Sequence, residues 1–230
     1  MTEALISEAR KIFHRRLIET GTLTLSESGV ASNADVSSAS SKALASRTAE
    51  LVSRGCGCEI HTADKIPGQA LGRQFEILVS EFLRDTFLKL DGFRPGKWII
   101  SRGAKTSDFS QYEHLAALSG LIGGNIQLAA MLGNDYIVAP DIVIYCERYD
   151  DGEINSHSQI VDGNSAIASD IRKTSGASPI LHASISAKFT IRSDRAQNSR
   201  TEALNLIRNR KGHLLHIAAR LDTITEYGRC

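Results

Sequence analysis

The sequence predicts an α/β fold with a central mixed sheet flanked by helices, and three observations carry that reading. Apolar residues recur at helical spacing through most of the stretch before Gly92. Two short β-branched runs then meet at Pro140. Finally, an alternating strand that starts at Leu181 leads into another helical pattern. No long Pro/Ser-rich linker divides the 230 residues, so the chain reads as one domain over 1–230.

Taken in order, Glu3 to Glu19 is a helix, with Ile6, Ala9, Phe13 and Leu17 on one face. Ser26 to Ser41 is polar and reads as an exposed loop. A second helix runs from Ser41 to Arg54 and ends at the turn signal RGCGC. Ile66 to Gln69, IPGQ, is another turn. Beyond it Phe75, Leu78, Val79, Phe82, Phe87 and Leu90 trace one face of a long helix ending near Gly92. Lys97 to Ser101 is a short strand, and Gln111 to Leu132 is helical with an interruption near Gly123 and Gly124. Asp135 to Tyr145 is β-branched and broken at Pro140, as two strands meeting at a bend. Leu181 to Ile191 alternates, placing His182, Ser184, Ser186, Lys188 and Thr190 on one face. A last helix from about Arg200 to Lys211 closes at Gly212.

The composition is that of an ordinary globular chain, 42% hydrophobic and 23% charged. No apolar run approaches the roughly 18 residues that span a bilayer, and the N-terminus lacks a signal-peptide core. A cytoplasmic protein with no membrane partner is expected. The net charge is only +1, yet the stretch from Lys188 to Lys211 holds seven basic and two acidic residues. Such an island is either a solvated helix face or a surface that meets phosphates. Four cysteines, with Cys56 and Cys58 the only close pair, lack zinc-site spacing and read as free thiols.

Two motifs bear chemistry. Asp141 follows Pro140 at the edge of an apolar strand, where a carboxylate is held rigidly while solvent still reaches it. Ser186 and Lys188 lie two apart on a later strand, on the same side of it by period-two geometry. If the strands are neighbours, Asp141 and Lys188 meet at one sheet edge, a combination suited to magnesium-assisted phosphodiester cleavage. As a bare pattern it is better explained by a loop aspartate and an exposed lysine. The continuation Arg192-Ser193-Asp194-Arg195 sets two guanidinium forks around one carboxylate. In a major groove such forks pair with guanine and an aspartate accepts from cytosine, so a two-fold dimer would read CCGG. An ordinary surface ion-pair cluster is the alternative. A His-ligated hydrolase is disfavoured, because His182, His213 and His216 show no ligand spacing.

HASISAKFTIRSDRAQN and its continuation SRTEALNLIRNRKG resemble the CCGG-reading type II restriction endonucleases of the NgoMIV family, within the PD-(D/E)xK nuclease superfamily. VASNAD, PGQ, RPGKW and APDIVI extend the likeness, which covers about residues 8–217. The resemblance implies a restriction-endonuclease-like core, Mg²⁺ dependence and a homo-oligomer, a dimer or tetramer. It implies double-stranded DNA as substrate and a cognate DNA methyltransferase as genetic partner. By position, Asp141 becomes a metal-binding aspartate and Lys188 the catalytic lysine. Ser186 stands where other nucleases of the fold carry an acid, Glu202 supplies that acid from the following helix, and Glu76 is a further acidic site residue. Ala187 joins Asp141, Glu202 and Glu76 among the metal-binding positions.

Arg192, Asp194 and Arg195 match the inner CCGG readers. Asp35, Ser37 and Gln69 match loop positions for the outer base pair or flanks, which implies GCCGGC, although Val36 replaces a glycine of the pattern. The implied reaction is Mg²⁺-dependent hydrolysis leaving 5′-phosphate ends. After residue 217 the sequence diverges as a tail over 218–230, so the family's C-terminal strands are expected to be lacking, and the alternative reading is a truncated or frameshifted inactive remnant.

Overall fold

The computed structural model describes residues 3–63, 66–123 and 138–211, together with the backbone of 217–220. The chain forms two compact units, residues 1–93, 186–200 and 220–230 in one and 94–185 and 201–219 in the other.

The first unit is built on three helices, α1 (Leu5–Glu19), α2 (Ala39–Cys56) and α3 (Gly68–Thr86), the last continued by a 3₁₀ turn over Phe87–Leu90. Each offers one apolar face. Leu17 and Ile18 of α1, Ala45, Ala49 and Val52 of α2, and Leu78 of α3 close a common core. Ala45 and Ala49 lie one turn apart and are almost wholly buried, so the α2 backbone approaches its neighbours closely. Phe13 packs on Phe75 and Phe82 at 6.2 and 5.5 Å between ring centres, knitting α1 to α3. Ser38 caps α2 by accepting from the Ser41 N–H, and Gly57 ends it in the left-handed region at φ 68°.

The polar stretch after Ser26 is not simply an exposed loop. Its Ala31, Asn33 and Ala34 are buried, and isolated bridges tie Leu25 to Ala31 and Thr62, and Ala34 to Ile191. The alanines are small enough to seat backbone directly on the helical core, which polarity averaged over the stretch conceals. The IPGQ turn is likewise shorter than expected: Pro67 is the N-cap of α3, and Gly68 and Gln69 are already helical.

The second unit holds the sheet, β1 (Lys97–Arg102), β2 (Ile142–Glu147), β3 (Ile180–Ser186) and β4 (Ile217–Arg220), in that order. β1 pairs with β2 and β2 with β3, both antiparallel, so the parallel component expected of a mixed sheet is absent from these three. Short helical segments lie between them: α4 (His114–Gly123), a single turn α5 (Asp151–Ile154) and 3₁₀ turns over Thr106–Asp108 and Lys173–Ser175. The core is Phe109, Tyr112, Leu115, Val138, Val143, Leu181 and Leu206. Buried Gln111 donates to the Leu181 carbonyl and accepts from the Leu181 N–H, satisfying the backbone of β3 with an amide side chain. Buried Arg148, one residue beyond β2, donates to the carbonyls of Ser178 and Asp170. The α6 helix (Ser193–Asn209) starts in the first unit and finishes in the second.

Two expectations about the C-terminal half are corrected. The alternating strand ends at Ser186, not Ile191, so Ser186 and Lys188 do not share one strand face. Its alternation is also interrupted. Ile144 pairs with Ala183 and Tyr145 with Leu181, which leaves His182 as the extra residue of a β-bulge, and the consecutive Ser184 and Ile185 are both buried. The last helix begins seven residues earlier than Arg200, at Ser193, because Ser, Asp, Arg and Asn at its start form a polar first turn without apolar periodicity. The interruption near Gly124, the helix up to Leu132, the strand start at Asp135, the stop at Gly212, His213 and His216, and the tail beyond 220 lie outside the described residues.

Candidate functional site

Four of the expected base-reading residues, Asp35, Ser37, Arg192 and Asp194, come together from two segments far apart in sequence. Asp35 follows the buried Ala34, which bridges to Ile191, and Arg192 follows Ile191. The Arg192 Nε lies 3.6 Å from Asp35 Oδ2 and donates to Asp194 Oδ1 at 3.1 Å. Ser37 closes the other side, its hydroxyl and its N–H both donating to Asp35 Oδ1, at 2.6 and 3.1 Å. This Asx-type turn holds the carboxylate below its ordinary pKa, chiefly through the Ser37 hydroxyl and N–H, with Arg192 adding to it. The result is an exposed strip in which Arg192 sits between two carboxylates. Asp194 and Arg195 belong to the first turn of α6, where the aspartate suits the helix dipole. Val36 and Ser37 are exposed, and Gln69 is exposed on the first turn of α3.

The expected catalytic positions distribute as follows. Asp141, half-buried, immediately precedes β2, and Ile142 pairs with Ile185. Asp141 and Ser186 are therefore the next residues outward at one end of the β2–β3 pair, and Lys188 follows two residues on. The Ser186 hydroxyl lies 3.1 Å from that of the buried Ser199 in α6, which itself donates to the Arg195 carbonyl. Ala187 is buried and offers only its main-chain carbonyl to a cation. Lys188 is half-buried, and the next residue, Phe189, packs on Phe75 at 5.4 Å between ring centres. Glu76, half-buried on α3, neighbours that Phe75. Glu202 lies mid-way along α6, half-buried, because the helix starts at Ser193 and not near Arg200.

Among the described residues no three His, Cys, Asp or Glu side chains form a ready-made metal cluster. The donors that the sequence singles out are hard oxygens, which suit Mg²⁺. That ion commonly takes only one or two protein carboxylates and completes its shell with water and substrate phosphate. The donor set therefore fits Mg²⁺ better than a site caged wholly by protein. The described cysteines, Cys56, Cys58 and Cys146, form no disulfide.

Sequence reasoning missed Ser41 and Ser199. Both are buried serines whose hydroxyls bind main chain of the recognition region. No motif flags a serine inside a helix as a long-range hydrogen-bond partner, and only the fold reveals it.

Comparison with known proteins bears on these positions. A family model described as NgoMIV restriction enzyme matches residues 13–225, reaching into the stretch that the sequence sets apart as a divergent tail. The type II restriction enzyme NgoMIV of Neisseria gonorrhoeae is 42% identical over 218 residues, covering 93% of this chain and 74% of that protein.

Proposed function

Because this chain belongs to the NgoMIV restriction enzyme family, and is thus a type II site-specific deoxyribonuclease, we propose that it cuts double-stranded DNA at a palindrome centred on CCGG, GCCGGC in full. The family match over residues 13–225 and the 42% identity over 218 residues to the Neisseria gonorrhoeae enzyme carry the reading. The Asp35–Arg192–Asp194 strip supports it, since guanidinium forks beside carboxylates suit paired guanine and cytosine edges. In this reading Arg192, Asp194 and Arg195 read the inner pairs, and Asp35, Ser37 and Gln69 read the outer pair or flank. A two-fold homodimer, or a tetramer of two such dimers, presents the residues to both half-sites. The fold is that of the PD-(D/E)xK nucleases, and residues 1–230 serve as one endonuclease domain. A methyltransferase of the same specificity protects the host genome.

The reaction is hydrolysis. A water oxygen bonds to phosphorus, the P–O3′ bond breaks, the departing O3′ gains a proton and the phosphate stays on the 5′ end. Lys188 orients the water through its ammonium and stabilises charge that develops on the non-bridging oxygens. Asp141 would hold Mg²⁺, with Glu76 and Glu202 directly or through water and the Ala187 carbonyl completing the protein donors. The bound ion supplies charge neutralisation and a more acidic water. Ser186 fills the place of an acid found elsewhere in the superfamily, and its hydroxyl contact with Ser199 steadies the strand end.

Purified protein incubated with Mg²⁺ and a plasmid containing GCCGGC should give discrete fragments with 5′-phosphate ends. Lys188→Ala should abolish cutting while still binding the site in Ca²⁺. Cutting by Lys188→Ala at the parent rate would overturn the assignment, and random degradation by the parent would overturn the target.

A further inference from the structure

The two segments that carry the expected base readers are joined by one buried hydroxyl. Ser41, near the start of α2 and 7% exposed, donates through Oγ to the Ile191 carbonyl at 2.6 Å and accepts from the Asp35 N–H at 2.8 Å. Its own N–H is used in the helix cap, donating to Ser38 Oγ at 3.2 Å. A third bond runs between the same two segments, from the Ile191 N–H to the Asn33 carbonyl at 2.8 Å. A hydroxyl has one proton to give and lone pairs to accept with, so Ser41 can serve a carbonyl and an N–H at once, as no aliphatic side chain can. Both main-chain groups belong to residues at, or next to, an expected base contact: Asp35 itself, and Ile191 beside Arg192. Little water reaches the hydroxyl, so neither bond is readily exchanged for one to solvent.

We propose that Ser41 is a positioning residue for sequence readout, fixing the Asp35 loop against the Arg192 segment so that the outer and inner base pairs are read in one register. It touches no DNA itself. The inference rests on the nuclease reading above and goes beyond it by assigning specificity to a residue outside the DNA-facing strip. Without the hydroxyl, the Asp35 loop keeps its own Ser37 turn and the Ile191 N–H bond to the Asn33 carbonyl, but loses both bonds made through Ser41, and the carboxylate is held less firmly against Arg192.

The test is equilibrium binding of the full chain in Ca²⁺ to three labelled duplexes, one with GCCGGC, one with ACCGGT and one without CCGG. Ser41→Ala should lower the preference for GCCGGC over ACCGGT by about tenfold or more, the scale of one base-pair discrimination. Its binding to the duplex without CCGG should stay near the parent value, which a general loss of folding would not permit. Ser41→Thr, which keeps the hydroxyl, should restore the preference. If Ser41→Ala does not fold, Ser41→Cys, which fills the same space with a poor hydrogen-bonding group, is read in its place. A folded variant with the parent's preference overturns the proposal. A parent protein without preference for either CCGG duplex overturns the nuclease target instead, and Ser41's role with it.

Discussion

At Asp35 the Ser37 hydroxyl and N–H, with Arg192, lower the pKa of a carboxylate expected to meet a base. The Ser37 hydroxyl is the main cause of the lowered pKa, so Ser37→Ala should return it toward its ordinary value. A carbon-detected NMR titration of the Asp35 carboxyl would show this, and an unchanged midpoint would exclude Ser37 as the cause. Because the folded pKa is depressed, the turn's contribution to stability is present above the ordinary carboxylate pKa and fades as pH falls through the folded value. Tyr112 behaves in the opposite sense. Burial pushes its phenol up to about 12, with Arg210 opposing, while its hydroxyl donates to the Leu206 carbonyl at 2.9 Å. The folded state holds that proton more tightly than the unfolded one, so stability should drop as pH rises from 10 toward 12. Tyr112→Phe should flatten that drop. It should also cost about 1–3 kcal/mol at neutral pH, because the Leu206 carbonyl loses its buried partner. Urea unfolding at a series of pH values measures both.

Among the elements, α2 and β3 show how local backbone serves the site. The C-cap of α2 is Gly57 at φ 68°, and a Cβ placed there would meet no atom within 4 Å. Gly57→Ala should therefore cost only the left-handed backbone penalty, about 1 kcal/mol. Chemical denaturation would register that loss, and a far larger one would mean that packing was disturbed after all. In β3 the bulge at His182 turns that ring toward Trp98, 4.9 Å away and edge-on, and toward the Arg94 guanidinium, 2.7 Å from its Nε2. Burial first, and Arg94 second, lower its pKa. The neutral ring accepts from Arg94, whereas a protonated ring would face a like charge. Stability should therefore fall on acidification below the ordinary histidine pKa, and His182→Gln should remove that part of the slope.

Over the molecule as a whole, nearly balanced charge conceals an uneven distribution. The net +1 is the residue of a basic run from Lys188 to Lys211 against an acidic remainder. If that run follows DNA, binding should weaken with salt, with a slope of log affinity on log salt of about −0.9 for each phosphate neutralised. Arg192→Ala should lose discrimination at CCGG, by about 1–3 kcal/mol, more than it lowers that slope. Anisotropy titrations at several salt concentrations separate these effects. A salt-independent affinity would argue that the basic run is an ordinary solvated face. No described helix is long and apolar enough to cross a membrane.

Much of this protein is legible along the chain because its causes are local. The helical period of Phe13, Leu17 and Leu78, the stop at Gly57 and the strand chemistry of Ile142 to Ile144 act within a few residues. The RSDR run could be read for its donor and acceptor groups for the same reason. Other features do not follow from apolar periodicity within a few residues. The end of β3 at Ser186, the bulge at His182 and the early start of α6 follow from pairing with β2 and from a polar turn without periodicity. The burial of Ala31 and Ala34 in a polar stretch, and the bridge of Ser41 to Ile191, follow from packing against helices that local sequence does not mention. Side-chain chemistry travels with the residue, but burial and hydrogen-bond partners are assigned only when distant backbone arrives beside it.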